Sequence, residues 1–384
     1  MTEFTEFQEI GHCGGKIIVN VSTELDDQRE IQFEIHHSRP TPSSWFAIYA
    51  LPQGIPVGTI QLGGIGDPWN PPPFPDCFPI FIASDSRGMF GHQCPQCHGY
   101  WRSTGATSRW RMTCPYCGIR SETHGFLTEG QVRYVQAFCE LIADATNSDT
   151  NGRHIVDMDT VADAIGKNAP KPKFYYAEES QQNKYNCDAC NELNDILGRY
   201  GYCSNCGTHN GISELEADIK QLRERIKSTT DYEACAKDAI AAFDSFARQI
   251  AKQLSNRIPM TPSRRKEWER KLFHNLNSCT EGLSAVFDIN ALKFLTADEI
   301  AFATLMFHRR HVYEHNGGEV DEKYIHDSGD TSVRPKQVIR ETPDTALRIV
   351  GIVGKIARNI AEGFHLIFPP EEIPHRNRHK PVAK

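Results

Sequence analysis

Residues 307–318 read FHRRHVYEHNGG, and their spacing decides how the C-terminal half of the chain folds. The sequence leading into them predicts a helix from Thr296, where Thr-Ala-Asp-Glu forms a capping box with Glu299 three residues on. Apolar residues recur at Ile300, Ala303 and Phe307, with Phe302, Leu305 and Met306 widening the stripe. Asn316-Gly317-Gly318 then supplies residues that end a helix in left-handed backbone. At about 100° per residue, Arg310 lies over Glu314, and His311 lies over His315 on a neighbouring strip. One guanidinium and two imidazoles therefore meet at one helix C-terminus.

Those residue types suit phosphate chemistry. Arginine stays charged and forks onto phosphate oxygens. Histidine titrates near neutrality, so it can take a proton from a hydroxyl or give one to a leaving oxygen. RNA brings its own nucleophile, the 2′-hydroxyl, so such a site needs no metal. A purely structural explanation stands beside this one. Arg310–Glu314 is also an ordinary i, i+4 ion pair, and a protonated histidine near a helix C-terminus is favoured by the dipole alone.

The surrounding sequence is helical. Ser213-Glu-Leu-Glu216 reads as a capping box, followed by Leu215, Ile219, Leu222 and Ile226 at coiled-coil-like spacing, a core or dimer stripe. A second helix runs over 232–254 through Ile240, Phe243, Phe246 and Ile250, until Pro259 and Pro262 stop it. A third is expected over 263–277, with Trp268, Leu272 and Leu276 inward. After the motif helix, 321–325 and 330–333 read as a connection. Thr342-Pro343 caps a last long helix over 344–368. Four or five amphipathic helices imply a bundle, with Cys235 and Cys279 as packed thiols.

Arg310, the polar His311, three further residues and then His315 resemble the Arg-polar-x3-His motif of the HEPN superfamily. The resemblance covers residues 213–368. It implies an all-helical domain, and in many members a metal-independent ribonuclease of toxin–antitoxin, CRISPR or antiphage systems. It also implies a composite site across a homodimer, built from Arg310, His311 and His315 of both chains. Arg309 lies outside the motif, and Glu314 fills a variable position. Other members are binding modules without catalysis, so a nucleic-acid- or protein-binding scaffold is the alternative that the resemblance carries with it.

Upstream, cysteines set the organisation. Eight of the thirteen form four C-x-x-C pairs; Cys13, Cys77, Cys139, Cys235 and Cys279 stand alone. Cys94-Pro-Gln-Cys97 and Cys114-Pro-Tyr-Cys117 are separated by sixteen residues, and Cys187-Asp-Ala-Cys190 and Cys203-Ser-Asn-Cys206 by twelve. Each quartet has the spacing of a zinc ribbon, a closed structural Zn²⁺ site with iron as the rival metal. Redox chemistry is disfavoured because the pairs are themselves paired and lack a βαβ context. Gly118 suits the tight turn after its knuckle. The Cys187 pair lacks the proline and glycine of an ideal knuckle. His92, His98 and His124 are redundant as ligands and are expected at the surface. Tyr100-Trp101-Arg102 and Arg109-Trp110-Arg111 interleave aromatics with arginines. They fit either a base-stacking surface or the small core that a ribbon needs.

Residues 1–90 read as β-rich, with strands over 16–21, 31–35, 45–51 and 79–83. Gly63-Gly64-Ile65-Gly66 reads as a turn rather than a phosphate loop, because neither a Lys-Ser/Thr nor a helical pattern follows it. A helix is expected over 128–145, with Val132, Val135, Phe138, Cys139 and Ile142 on one stripe, then a short helical turn at 161–165 and a linker at 167–173. The expected class is thus α+β and multidomain: a β-rich region 1–90, ribbons at 91–125 and 185–212, a helical connector 126–184 between them, an all-α HEPN-like bundle 213–368, and a disordered tail 369–384.

The formal net charge is −7, which argues against a general polyanion binder. The negative charge lies mainly in residues 1–90, where 11 acidic residues face 4 basic ones, whereas 91–130 carry 4 Arg against 2 Glu. No apolar run reaches the roughly 18–20 residues that span a bilayer, and the acidic N-terminus lacks a signal-peptide pattern. Unpaired thiols beside metal-type pairs fit a reducing cytosol. RNA and a second copy of the chain are the partners implied, with a protein partner or trigger at the N-terminal region.

Overall fold

The computed structural model describes residues 15–23, 29–36, 45–60, 69–84, 89–104, 111–148, 150–158, 160–161, 182–271, 273 and 275–371. The expected glycine turn at 63–66, Arg109, Trp110, residues 162–165, the linker at 167–173, Leu272 and the tail beyond 371 lie outside them. The fold is mixed α and β. It divides into two compact units, one ending at Gly207 and one spanning Thr208–Glu372.

In the first unit, β1 (Lys16–Thr23) is central. It pairs antiparallel with β2 (Arg29–His36) on one side and β10 (Gly152–Asp157) on the other. A second sheet centres on β3 (Trp45–Ala50), between β4 (Pro56–Ile60) and β5 (Phe78–Ala83). Alternation along β1 turns Ile17, Val19 and Val21 to one face. There they pack with Phe46, Ile48, Ile80 and Ile82 and with Val135, Phe138 and Ile142 of α1 (Glu129–Thr146). A Thr128–Gln131 capping box starts α1. α1 and β10, expected within a connector, instead complete this core. β10 supplies the second hydrogen-bonded neighbour of β1, and Val156 joins α1 in the core on that face.

The cysteine segments add β6 (Phe90–Gln93), β7 (Tyr100–Ser103), β8 (Arg111–Thr113), β9 (Arg120–Glu122), β11 (Gln182–Asn186) and β12 (Leu193–Leu197). β8 pairs with β9. The other four form one sheet in the order β11-β12-β7-β6. The two ribbons, expected as separate domains, are therefore joined strand to strand, with Trp101 opposite Ile196, Arg102 opposite Asp195 and Ser103 opposite Asn194.

In the second unit, α2 (Gly211–Ile226), α3 (Tyr232–Arg257) and α8 (Pro343–Ile367) pack together, and α6 (Ala297–His315) lies against α3 and α8. Leu215, Ile219, Leu222 and Ile226 are buried within the chain, so this stripe is core rather than a free dimer face. α2 begins earlier than expected. Its N-cap is Asn210, not Ser213, because the chain enters the helix directly and the Gly211 N–H bonds to His209 Nδ1 at 3.1 Å. The helix expected over 263–277 is split into α4 (Pro262–Glu269) and α5 (Leu276–Phe287). Trp268 fixes this corner, donating to the Ala251 carbonyl at 3.0 Å and meeting Phe287 edge-on at 4.8 Å. The expected connection at 321–325 is helical, as α7 (Glu322–Ser328). Capping boxes at Thr296 and Thr342 open α6 and α8 as their sequences imply. No helix among the described residues is long and apolar enough to cross a membrane.

Candidate functional site

Both cysteine quartets are assembled. In each, the four sulfurs lie within 4.8 Å of one another. The Sγ–Sγ separations are 3.7 Å for Cys94–Cys117, 3.6 Å for Cys97–Cys114, 3.6 Å for Cys187–Cys206 and 3.5 Å for Cys190–Cys203. A tetrahedral shell with Zn–S of about 2.3 Å spaces its sulfurs by about 3.8 Å, so the cages have the right size.

Four equivalent turns build them. The N–H four residues after the first cysteine of each pair donates to that cysteine's carbonyl: His98 to Cys94 at 2.9 Å, Gly118 to Cys114 at 3.0 Å, Asn191 to Cys187 at 2.7 Å and Gly207 to Cys203 at 2.9 Å. That residue is left-handed each time, with φ of 56°, 71°, 60° and 75°. Asn191 thus does for the Cys187 pair what glycine does elsewhere; asparagine tolerates this region better than most residues. Asn194 Nδ2 points at the Cys203 sulfur at 3.6 Å and Asn205 Nδ2 at the Cys190 sulfur at 3.8 Å. Such N–H groups favour thiolate. Without a cation, crowding opposes it: the neighbouring thiols, and burial after them, push Cys114 and Cys203 far above the usual thiol range. A divalent ion at the centre offsets that repulsion. All four ligand positions are cysteine, so the cages suit a closed, structural ion.

The histidines near the first cage are not all at the surface. His92 is fully buried, stacks on Trp101 at 5.3 Å and shares a 2.9 Å hydrogen bond with Ser103 Oγ. Burial pushes its pKa down to about 3. His124 is partly buried beside Thr59, and His98 is exposed. Tyr100, Trp101 and Arg102 are buried as well. Trp101 packs with Phe126, Met112 and Ile196, and Arg102 faces Asp195 at 3.6 Å. Of the two roles open to these three residues, the structure assigns the core.

The helix end carries the other constellation. His311 and His315 are exposed, with ring centroids 4.6 Å apart. Arg310 meets Glu314 at 3.0 Å, and its side chain is 14% exposed. Gly317 and Gly318, at φ 59° and 89°, turn the chain away, and the Gly318 N–H closes the helix onto the Val312 carbonyl at 3.1 Å.

Two features here were not visible in the sequence. Arg309, outside the motif, reaches Asp330 at 3.1 Å and Glu341 at 3.0 Å, whose side chains are 3% and 0% exposed. Tyr324 donates to Asp330 at 2.7 Å, and Tyr313 donates to Glu341. Burial works to raise the Asp330 carboxyl, but hydrogen bonds from Ser332, Tyr324 and Arg309 outweigh it and hold the pKa at about 2. The second is Asp321, which caps α7 through the Tyr324 N–H at 2.7 Å and accepts from Asn316 Nδ2 at 2.9 Å. These bonds, in that order, hold its carboxyl below the usual range, with the His311 charge a smaller cause. Its only sequence signal is a helix-capping aspartate five residues beyond the asparagine that ends α6.

Comparison with known proteins gave no match: no family model fits the chain, and no curated protein or solved structure is significantly similar.

Proposed function

We propose that the Thr208–Glu372 unit is an endoribonuclease of HEPN type that works without a catalytic metal, as a homodimer pairing two copies of the α6 end. We further propose that each cysteine cage holds one structural Zn²⁺ in support of substrate or partner recognition. The observation that carries the nuclease reading is the exposed His311–His315 pair on the turn that also bears Arg310. In this mechanism Arg310 exchanges Glu314 for the scissile phosphate and offsets charge as it builds in the transition state. His315 takes the proton of the 2′-hydroxyl or gives one to the 5′-leaving oxygen, and His311 orients it. The 2′-oxygen attacks phosphorus, the P–O5′ bond breaks, and a 2′,3′-cyclic phosphate remains. An effector of a toxin or antiphage system inside the cell is the biological setting that goes with this chemistry.

One observation favours a second reading. Arg310 is engaged by Glu314 in the structure, as it would be in a scaffold that binds nucleic acid or protein without cleaving. Purified wild type, His315→Ala and Glu314→Ala on unstructured RNA without added Mg²⁺ separate the two. For a nuclease, His315→Ala loses about 10²–10⁴-fold in rate, whereas Glu314→Ala, which frees Arg310, keeps cleavage. Wild type that binds RNA and leaves it intact would establish the scaffold.

A further inference from the structure

The two ribbons are joined by more than a shared strand edge. Arg102 stands eight residues after Cys94, and Asp195 eight residues after Cys187. These equivalent positions are paired with each other in the antiparallel β7–β12 register. On either side, Trp101 faces Ile196 and Ser103 faces Asn194, and these pairings interchange when the ribbons are interchanged. The second knuckles repeat the relation. Thr113, just before Cys114, donates from its N–H to the carbonyl of Ser204, just after Cys203, at 2.8 Å. Tyr202, just before Cys203, donates to the carbonyl of Pro115, just after Cys114, also at 2.8 Å. Both sets of contacts obey one local two-fold relation that exchanges the cages. Ile196 of the second ribbon packs in the core that holds Cys94 and Cys114 of the first. At Gly201 an added Cβ would meet Ile196 Cδ1 at 2.8 Å and the Pro115 carbonyl at 3.2 Å.

We infer that the two cages are halves of one intramolecular ribbon dimer and bind and release metal as a single cooperative unit, with Arg102–Asp195 as its key. The backbone bonds from one ribbon end on residues flanking Cys114 and Cys203, so a cage that opens withdraws support from its neighbour's knuckle. The key also sets which ribbons pair. Two copies of the first ribbon would oppose Arg102 to Arg102, and two copies of the second Asp195 to Asp195. Only the mixed pair places opposite charges together in a site where both side chains are at most 5% exposed.

The test is zinc release from the full chain into a chromogenic chelator, with far-UV helical signal followed as a control on the second unit. In the wild type both ions should leave in one transition. Arg102→Asp and Asp195→Arg should each release both ions at about tenfold lower chelator or less, and the double exchange should recover most of the loss. Because a buried reversal can unfold its surroundings, Cys190→Ser serves as a second probe, since it leaves the four ligands of the first cage intact. The first-cage ion should then also leave at about tenfold lower chelator. Independent release of the two ions in the wild type, or an unchanged first-cage affinity in Cys190→Ser, would overturn the inference.

Discussion

Arg309 and Arg310 leave the same turn of α6 about 100° apart, and the difference lies in their partners. Arg309 is held between two buried carboxylates, whereas the partner of Arg310 is half-exposed Glu314. Replacing Arg309 with Met leaves the buried Asp330 and Glu341 carboxylates without their cation, which should lower the stability of the bundle by about 3–5 kcal/mol. The Arg310→Met change should cost about 1 kcal/mol or less while abolishing RNA cleavage. Urea midpoints and a cleavage assay on the two variants check this. The i, i+4 neighbours around Arg310 were legible because helix geometry fixes them. The Arg309 cluster was not, because its partners lie 21 and 32 residues away and only the tertiary fold brings them back.

A single residue also sets a pH dependence. Burial, with His365 and Arg257 as lesser causes, holds His209 at a pKa of about 3. The folded bundle keeps it neutral, while the unfolded chain binds a proton below about 6.5. The unfolded state thus gains protons first as pH falls, and stability is lost from about pH 6.5 downward. Between pH 7.5 and pH 5 the bundle should lose up to about 2 kcal/mol through this group. Urea unfolding at the two pH values should show that loss in wild type and a smaller one in His209→Gln.

At the scale of elements, the knuckle turns make a paired prediction. His98 and Asn191 hold left-handed backbone that glycine adopts freely. His98→Gly should therefore keep or tighten metal binding. Gly207→Val should weaken it, because a β-branched residue is strained in the left-handed backbone held there at φ 75°. Competition with a chelator of known affinity reads both. Thr296→Ala removes one arm of the α6 capping box and should lower bundle stability by about 1 kcal/mol, seen as a lower thermal midpoint. Elements with strong local signals were legible: β1, β3, α1, the start of α6 and all of α8. Those fixed by distant partners were not. β10 becomes a strand by pairing with β1, more than a hundred residues earlier, and β12 by pairing with β7. The bounds of α5 carried a weak signal, because Thr280 and Gly282 interrupt the apolar residues on its buried face.

For the whole molecule, the cysteine spacing announced two metal cages, and nothing local announced that they would share a sheet. Elemental analysis should return two zinc ions per chain, with proton release on metal binding because thiols must become thiolates to hold the ion, Cys114 and Cys203 being held above the usual thiol range without it. Chelation should then disrupt the ribbons and spare the helical far-UV signal, since none of the eight cysteines lies in the Thr208–Glu372 unit. Light scattering at micromolar concentration should give a dimer if two α6 ends make one site. The most direct measurement uses a DNA oligonucleotide carrying one ribonucleotide, incubated with zinc-loaded protein without added Mg²⁺. Cleavage is expected only 3′ to that ribonucleotide, leaving a 2′,3′-cyclic phosphate, and not in His315→Ala. Cutting of the all-DNA strand, a 3′-hydroxyl end, or equal cleavage by His315→Ala would contradict catalysis at the end of α6.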